Sequence, residues 1–284
     1  MPGGILKEDP LIEKPAFRVP RYDPLIALFS VAGSLLILMT ALAILTIAIP
    51  ELADPIHLLS VAGDPAIATA FLLTFSAGCV AVGLLVVFGT PLAYVMNRVH
   101  FRGKPLVESL IDIPLVLPHT VAGLMIYLLF MSRGLIGAPF AEAGVFFEDA
   151  YPGIVAAMVF VSMPYYVNGV REGFAKVPVR LENVARTLGA TAWKTFLWIS
   201  LPLVRRHIIS SGVVAWGRAV GEFAAVVMIA YFPMVVSTLI YQRFSTGGLA
   251  ESRSVAFLMI LVCFILFFIV RWLTHRMEDG HDQA

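Results

Sequence analysis

The sequence contains little charge. Only 14% of its 284 residues are charged, and 59% are hydrophobic, whereas a soluble domain has about 25% charged and about 45–50% apolar residues. This composition excludes an ordinary soluble enzyme and a disordered protein, and a mean hydropathy of +0.88 indicates a chain whose main solvent is lipid. The net charge of +1 gives no electrostatic reason to expect nucleic acid as a partner.

Motifs of catalysis and metal binding are also lacking. The two cysteines, Cys79 and Cys263, lie in apolar runs far apart, which is typical of packing residues rather than of a disulfide or a metal site. There is no HExxH, and the only Gly-Lys pair, at 103–104, precedes a proline, so no phosphate-binding loop is present. The sequence therefore predicts no catalytic residues, no metal and no cofactor in this chain. If ATP drives its function, another chain must bind the nucleotide.

Apolar runs long enough to cross a bilayer dominate the rest of the chain. A membrane-spanning helix needs about 20 apolar residues, and six runs approach or exceed that length: 25–49, 66–96, 113–132, 153–170, 208–233 and 255–273. We expect an all-α membrane protein with six transmembrane helices. It would have an N-terminal segment at 1–24, a membrane domain at 25–273 and a C-terminal tail at 274–284. The first run is too long, and too far from the N-terminus, for a cleaved signal peptide.

Basic residues predict the orientation of these helices. With six spans, 16 of the 20 Lys and Arg residues fall on the side that holds both termini, three fall on the opposite side, and Arg218 lies within a span. Cytoplasmic loops carry the excess of basic residues. Both termini should therefore be cytoplasmic, in a multi-pass protein of the cell membrane.

The longest predicted loop, 171–207, has a helical pattern. Its apolar residues Phe174, Val177, Leu181, Val184 and Leu188 follow a 3-4-3-4 spacing, which predicts one face of a helix.

Turn and capping residues divide this loop. Pro178 suits the first turn of a helix, Gly189 suits the position just after it, and Thr191 suits the cap of a second short helix through Trp193 and Phe196. The loop is therefore predicted to be a helix–glycine–helix elbow outside the membrane. It could be an amphipathic connector on the lipid surface or a docking element for a cytoplasmic partner.

The elbow resembles the EAA loop of importer-class ABC-transporter permeases. That pattern is E-A-A, three residues, Gly, nine residues, then I-x-L-P. Gly189 matches its glycine, and ISLP at 199–202 matches its end in register. The glutamate position falls on Asn183, directly after Glu182, and of the two alanine positions only the second keeps alanine. The resemblance implies that the elbow inserts into a cytoplasmic ATPase subunit. The coupling residues would be Glu182, Asn183, Val184, Ala185, Leu188, Gly189 and Ala190.

Two further stretches resemble permeases of the molybdate/tungstate branch of oxyanion importers. These are 112–130 and 216–256, and GEFAAVVMIAYFPM followed by LIYQRF is most similar to tungstate-type permeases. Sulfate permeases share the RAxGEF-like part, so sulfate or thiosulfate is an alternative cargo. The resemblance implies the type I ABC importer permease (MetI-like) fold and alternating access. It also implies a homodimer, two ATPase subunits that bind ATP and Mg, and an extracytoplasmic molybdate/tungstate-binding protein.

Charged and polar residues within the predicted spans suggest a pathway. Arg218 and Glu222 are four residues apart in the fifth run, where a charge costs about 2.5–3.5 kcal/mol unless it faces protein or water. They could be a structural pair or could set the field for an oxyanion. In the third run, prolines and two polar side chains predict a broken helix beside a cavity, or a kinked packing helix. The candidate pathway residues are Pro118, His119, Thr120, Arg218 and Glu222.

Two other functional classes remain open. An ion-coupled secondary carrier without an ATPase predicts internal repeats and charges near the middle of several spans, but only the fifth run holds charges there. A membrane-embedded enzyme would need paired acid, base or metal ligands.

Among the outer loops, 134–152 and 234–254 are large enough to contact a binding protein.

Overall fold

A computed structural model describes residues 23–279, with side chains as far as 269. Every regular element in this range is helical, so the predicted all-α class is confirmed for the described residues. The chain divides into two compact units, Met1–Ala53 and Asp54–Ala284. The described part of the first unit is one helix, α1 (Pro24–Ala53), which contains the predicted run 25–49.

The second unit contains the remaining helices. In chain order, the first of these helices lie before and after the loop 99–103. They are α2 (Pro55–Ala62), α3 (Pro65–Leu84), a π-helical segment (Leu85–Gly89), α4 (Thr90–Arg98), α5 (Lys104–Val116), α6 (His119–Phe130) and α7 (Gly137–Glu142). The chain continues with α8 (Tyr151–Lys176), α9 (Val179–Thr187), α10 (Ala192–Thr195), a second π-helical segment (Phe196–Ser200), α11 (Leu201–Val220), α12 (Ala224–Ile229) and α13 (Val236–Asp279).

Four described helical stretches are long and apolar enough to cross a membrane. They are Pro24–Ala53, Pro65–Arg98, Tyr151–Lys176 and Val236–Ile269, and the bent pair α5–α6 would make a fifth. Within the last stretch, Gly248 interrupts the helix with φ 77° and ψ −162°. The expected number of six spans stays a prediction.

The predicted third run, 113–132, is broken, as its prolines indicated. α5 and α6 meet at an angle of 119°. Leu117 is extended, with ψ 139°, because a proline disfavours the helical conformation of the residue before it. The break therefore falls at Leu117–Pro118, and residues 113–116 of the predicted run belong to α5.

The predicted fifth span, 208–233, is also broken. α11 ends at Val220, the chain turns at 221–223, and the short α12 follows. The Glu222 side chain accepts the Ala225 N–H at 2.8 Å, so it satisfies a donor at the start of the new helix. This local bond provides a physical reason for the turn.

Helix α8 is the centre of the second unit, and its packing depends on small residues. A Cβ at Gly169 would clash with Ser211 of α11, and one at Gly173 would lie 2.6 Å from the Cβ of His207. Small residues let helix backbones approach closely in membrane proteins. On another face of α8, Asn168 donates to Asp112 of α5 at 2.7 Å. Asn168 therefore makes a polar contact between two helices.

Candidate functional site

The predicted elbow is present, and its glycine has the expected conformation. Gly189 has φ 88°. Its N–H donates to the Arg186 carbonyl and the Ala190 N–H to the Ala185 carbonyl, both at 3.0 Å, which is the Schellman pattern of a helix C-terminus. Thr191 Oγ1 accepts the N–H of Lys194 at 3.3 Å and caps α10. The helix–glycine–helix geometry is thus confirmed.

The predicted single apolar face of the elbow is wrong. Phe174 and Val177 are buried, and Phe174 belongs to α8, which ends at Lys176. The chain breaks before α9 because Val177 precedes a proline and is extended. Only Leu181, Val184 and Leu188 remain as an apolar surface, and they are 45%, 48% and 83% exposed.

The residue that attaches α9 to the membrane domain is Glu182. Its carboxylate accepts from Arg98 Nη2 and Nε at 3.0 Å, and from Ser200 Oγ at 2.8 Å. Arg98 Nη2 also donates to the carbonyl of Val177 at 3.0 Å. The Arg98 and Glu182 side chains are only 11% and 8% exposed. We call this group, Arg98, Glu182, Ser200 and the Val177 carbonyl, the inner ion-pair network.

The inner ion-pair network joins four parts of the chain. Arg98 ends α4, Val177 follows α8, Glu182 lies in α9, and Ser200 ends the π-helical segment before α11. A buried pair held by several hydrogen bonds resists separation, so the network fixes α9 against these helices. Sequence reasoning included Glu182 but missed Arg98 and Ser200, because nothing in their spacing indicates that they meet.

The other predicted elbow residues form its outer surface. Asn183, Val184, Leu188 and Gly189 are exposed, and Ala185 and Ala190 are half-buried. In the segment after the glycine, Trp193 and Trp198 are also exposed, at 68% and 77%. The elbow therefore has one side bound to the membrane domain, and exposed apolar side chains on the opposite side of α9.

The second candidate site lies where the two broken helices meet. α6 packs closely against α12, because a Cβ at Gly123 would lie 2.8 Å from the backbone of Ala225. This approach brings the first residue of α6, His119, next to Arg218 and Glu222. Pro118 forms the break before α6, and Thr120 is exposed in its first turn.

Arg218 lies between the other two side chains of this site. Its Nη2 is 2.7 Å from Glu222 Oε2, 2.9 Å from His119 Nε2 and 3.3 Å from His119 Nδ1. The Glu222 side chain is 3% exposed, that of Arg218 21% and that of His119 41%. We call His119, Arg218 and Glu222 the junction triad. The sequence predicted all three as pathway candidates but could not show that the third run reaches the fifth.

Carboxylates also join the outer loops. Ser132 donates its N–H and Oγ–H to Glu148, and these bonds, led by the hydroxyl, hold the pKa of that carboxyl below its usual range. Asp149 accepts the N–H of Tyr231 at 2.9 Å. The segment 134–152 is therefore joined to the chain just before α13, and the predicted outer segment 234–254 is largely helical, because α13 begins at Val236.

An ion pair joins the start of α3 to α13. Asp64 accepts the N–H of Ala66 at 2.9 Å and pairs with Arg243 of α13. The backbone bond, followed by the arginine, lowers the pKa of Asp64.

Solved structures with similar folds identify the fold of the chain. The chain aligns with a bacterial alginate ABC transporter at a TM-score of 0.61 and 18% identity, covering 87% of this chain and 94% of the other. It aligns with the MetNI methionine ABC transporter at 0.56 and 16% identity, covering 74% and 94%. The predicted type I ABC importer permease fold is confirmed.

Sequence relatives define the family. Residues 86–279 match the family of the binding-protein-dependent transport system inner membrane component, and the chain belongs to this family, in its group of molybdate/tungstate permeases. The molybdate/tungstate permease protein WtpB of Thermococcus kodakarensis is 37% identical, over 90% of this chain and 98% of that protein. The sulfate permease protein CysT of Synechococcus elongatus is 32% identical, over 74% and 77%.

Proposed function

We propose that this chain carries molybdate or tungstate across the cell membrane as the permease subunit of an ATP-driven importer. The observation that carries the proposal is the similarity to WtpB of Thermococcus kodakarensis over 98% of that protein's length. A partly exposed arginine at the junction of two broken helices is a suitable contact for an oxyanion.

The assembly we propose has separate parts for energy, transport and capture. Two copies of this chain form the pathway, two cytoplasmic ATPase subunits bind ATP and Mg, and an extracytoplasmic protein delivers the anion. This chain makes no covalent bond and needs no cofactor. Both termini lie in the cytoplasm.

The elbow is the proposed contact with the ATPase. Its exposed surface, with Leu181, Val184, Leu188 and Trp193, is an apolar surface that a partner can cover. The inner ion-pair network on its opposite side would then pass the motion of the ATPase to α4 and α11. ATP binding would turn the pathway outward, and hydrolysis would return it inward.

Stimulation of ATP hydrolysis by the transported anion tests the proposed function. We expect the complete complex with its binding protein to hydrolyse ATP faster with molybdate or tungstate than without. Stronger stimulation by sulfate would support the sulfate alternative, for which the 32% identity to CysT is the observation. Uptake that persists without the ATPase would instead identify a secondary carrier.

Replacement of Gly189 by valine should uncouple the ATPase from transport. No atom lies within 4 Å of the point where a Cβ of residue 189 would be, so a side chain has space there. The φ of 88°, however, is a backbone conformation that valine does not readily adopt. Valine in this region costs about 1–2 kcal/mol, which would displace the start of α10. We expect ATP hydrolysis to continue while anion uptake falls by about tenfold.

Gly103→Val is the matched control for this variant. Gly103 has φ 89° and open space around its Cβ position, and it lies outside the elbow before α5. Gly189→Asn should retain most uptake, because asparagine tolerates the left-handed conformation. Equal loss of uptake in both valine variants would contradict a specific role for the elbow.

Single cysteines can test which side of the chain contacts each proposed partner. In a chain without Cys79 and Cys263, Leu135→Cys and Leu249→Cys should crosslink to the binding protein, since these residues are 86% and 68% exposed. Leu188→Cys should crosslink to the ATPase subunit. Crosslinks from Leu188 to the binding protein would reverse the proposed orientation.

A further inference from the structure

The junction triad combines a cation that solvent can reach with a carboxylate that solvent cannot. Arg218 is 21% exposed and Glu222 3% exposed, and they are 2.7 Å apart. We propose that Arg218 and His119 form a transient binding site for a tetrahedral oxyanion, and that Glu222 keeps the affinity of this site low. The inference rests on the proposed function and adds how the pathway avoids trapping its cargo.

Glu222 is held in place by bonds that do not involve Arg218. Its Oε1 accepts the N–H of Ala225 at 2.8 Å at the start of α12, and its own carbonyl accepts the Ser237 hydroxyl at 2.9 Å. Moving the carboxylate would leave a buried donor unsatisfied, which costs free energy. Glu222 is therefore a fixed counter-charge rather than a group that the anion displaces.

His119 is the member of the triad that can yield to an anion. Its side chain is 41% exposed, and its contact with Arg218 is between ring nitrogens and one guanidinium nitrogen. A neutral imidazole accepts at one nitrogen and donates at the other. An arriving oxyanion can take the place of the imidazole beside the Arg218 guanidinium. It can also accept a hydrogen bond from the N–H of the displaced imidazole.

The charges of the triad determine how strongly an anion is held. Arg218 and Glu222 cancel, so a dianion meets a polar but nearly neutral site. Guanidinium without a counter-charge binds oxyanions through paired N–H groups and would retain them. A pathway must release its cargo after each cycle, so the fixed carboxylate favours passage over retention.

Glu222→Gln is the direct test, because glutamine keeps the shape and can still accept the Ala225 N–H. We expect the purified permease–ATPase complex, dialysed against radiolabelled molybdate, to bind molybdate about tenfold or more tightly in this variant than in the wild type. The Arg218→Gln/Glu222→Gln double variant should lose this gain. Glu108→Gln removes the charge from another ion pair, Glu108–Arg171 at 3.1 Å, and should bind as the wild type does.

Two results would overturn the inference. One is molybdate binding by Glu222→Gln no tighter than by the wild type, and the other is equally tight binding by the double variant. If molybdate stimulates ATP hydrolysis by the complete wild-type complex but Glu222→Gln shows no gain in molybdate binding, the inference fails and the proposed function stands. If that stimulation is absent, the proposed function itself fails.

A second variant keeps the inference testable if Glu222→Gln does not assemble. His119→Glu places another carboxylate beside Arg218 and should reduce molybdate uptake by about tenfold or more, whereas His119→Gln should retain most of it. Equal uptake by the two variants would contradict the proposed site.

Discussion

Alanine at position 182 is expected to abolish anion uptake and to destabilise the permease. Glu182→Ala leaves the Arg98 guanidinium in a site that is 11% exposed, without its carboxylate. Breaking a buried pair by removing one partner costs about 3–5 kcal/mol. Because the same carboxylate accepts the Ser200 hydroxyl, α9 would also lose its attachment to the start of α11. Uptake in vesicles and thermal unfolding of the purified complex measure the two effects.

Two control variants separate stability from coupling. Glu108→Ala breaks a pair whose side chains are 32% and 36% exposed, so its cost should be only about 0–1 kcal/mol. The Arg98→Met/Glu182→Ala double variant removes both buried charges and should recover part of the stability, but it should not recover uptake. Normal uptake by the double variant would show that the inner ion-pair network stabilises the fold without transmitting motion.

Valine at position 123 is expected to separate the two broken helices and to stop transport. A Cβ there would lie 2.8 Å from both the Cα and the carbonyl oxygen of Ala225, so the backbone of α12 would have to move. Overpacking of this kind costs about 1–3 kcal/mol or more. His119 begins α6, and Arg218 lies in α11 just before the turn into α12, so the junction triad would separate. We expect anion uptake to fall by more than about tenfold.

Gly83→Val is the matched control for this contact. Gly83 also lies within a helix, α3, but no atom lies within 4 Å of the point where its Cβ would be. The two substitutions share the intrinsic effect of valine on a helix, so the difference in uptake and unfolding temperature reports the α6–α12 contact. A similar loss of uptake in both variants would contradict the proposed importance of this junction.

Local chemistry could be predicted from the sequence. Gly189 and Thr191 act as expected because capping and left-handed turns depend on a few neighbouring residues. The long apolar runs likewise predicted the helices α1, α3 and α8. The apolar spacing across Pro178 was misleading, because the proline ends one helix and the residues before it are buried elsewhere.

Contacts between distant segments could not be predicted in this way. Arg98 and Glu182 are 84 residues apart, and His119 and Arg218 are 99 apart. No periodicity relates such positions, and each pair depends on how separate helices pack together, as α8 and α11 do through Gly169 and Gly173. The helix breaks at Leu117 and Gly221 are a further reason that these contacts could not be predicted, because a run of apolar residues does not specify the direction of the chain after a turn.

By itself, the sequence determined that this protein is a helical membrane protein with a glycine elbow and charged residues in an apolar run. Those features follow from the composition, from spacing along one helix and from single turns, all of which are local. Only the tertiary structure decided that Glu182 is anchored by Arg98 and that Arg218 lies between His119 and Glu222. These contacts need close helix packing, and the positions of small residues and helix breaks control that packing in three dimensions.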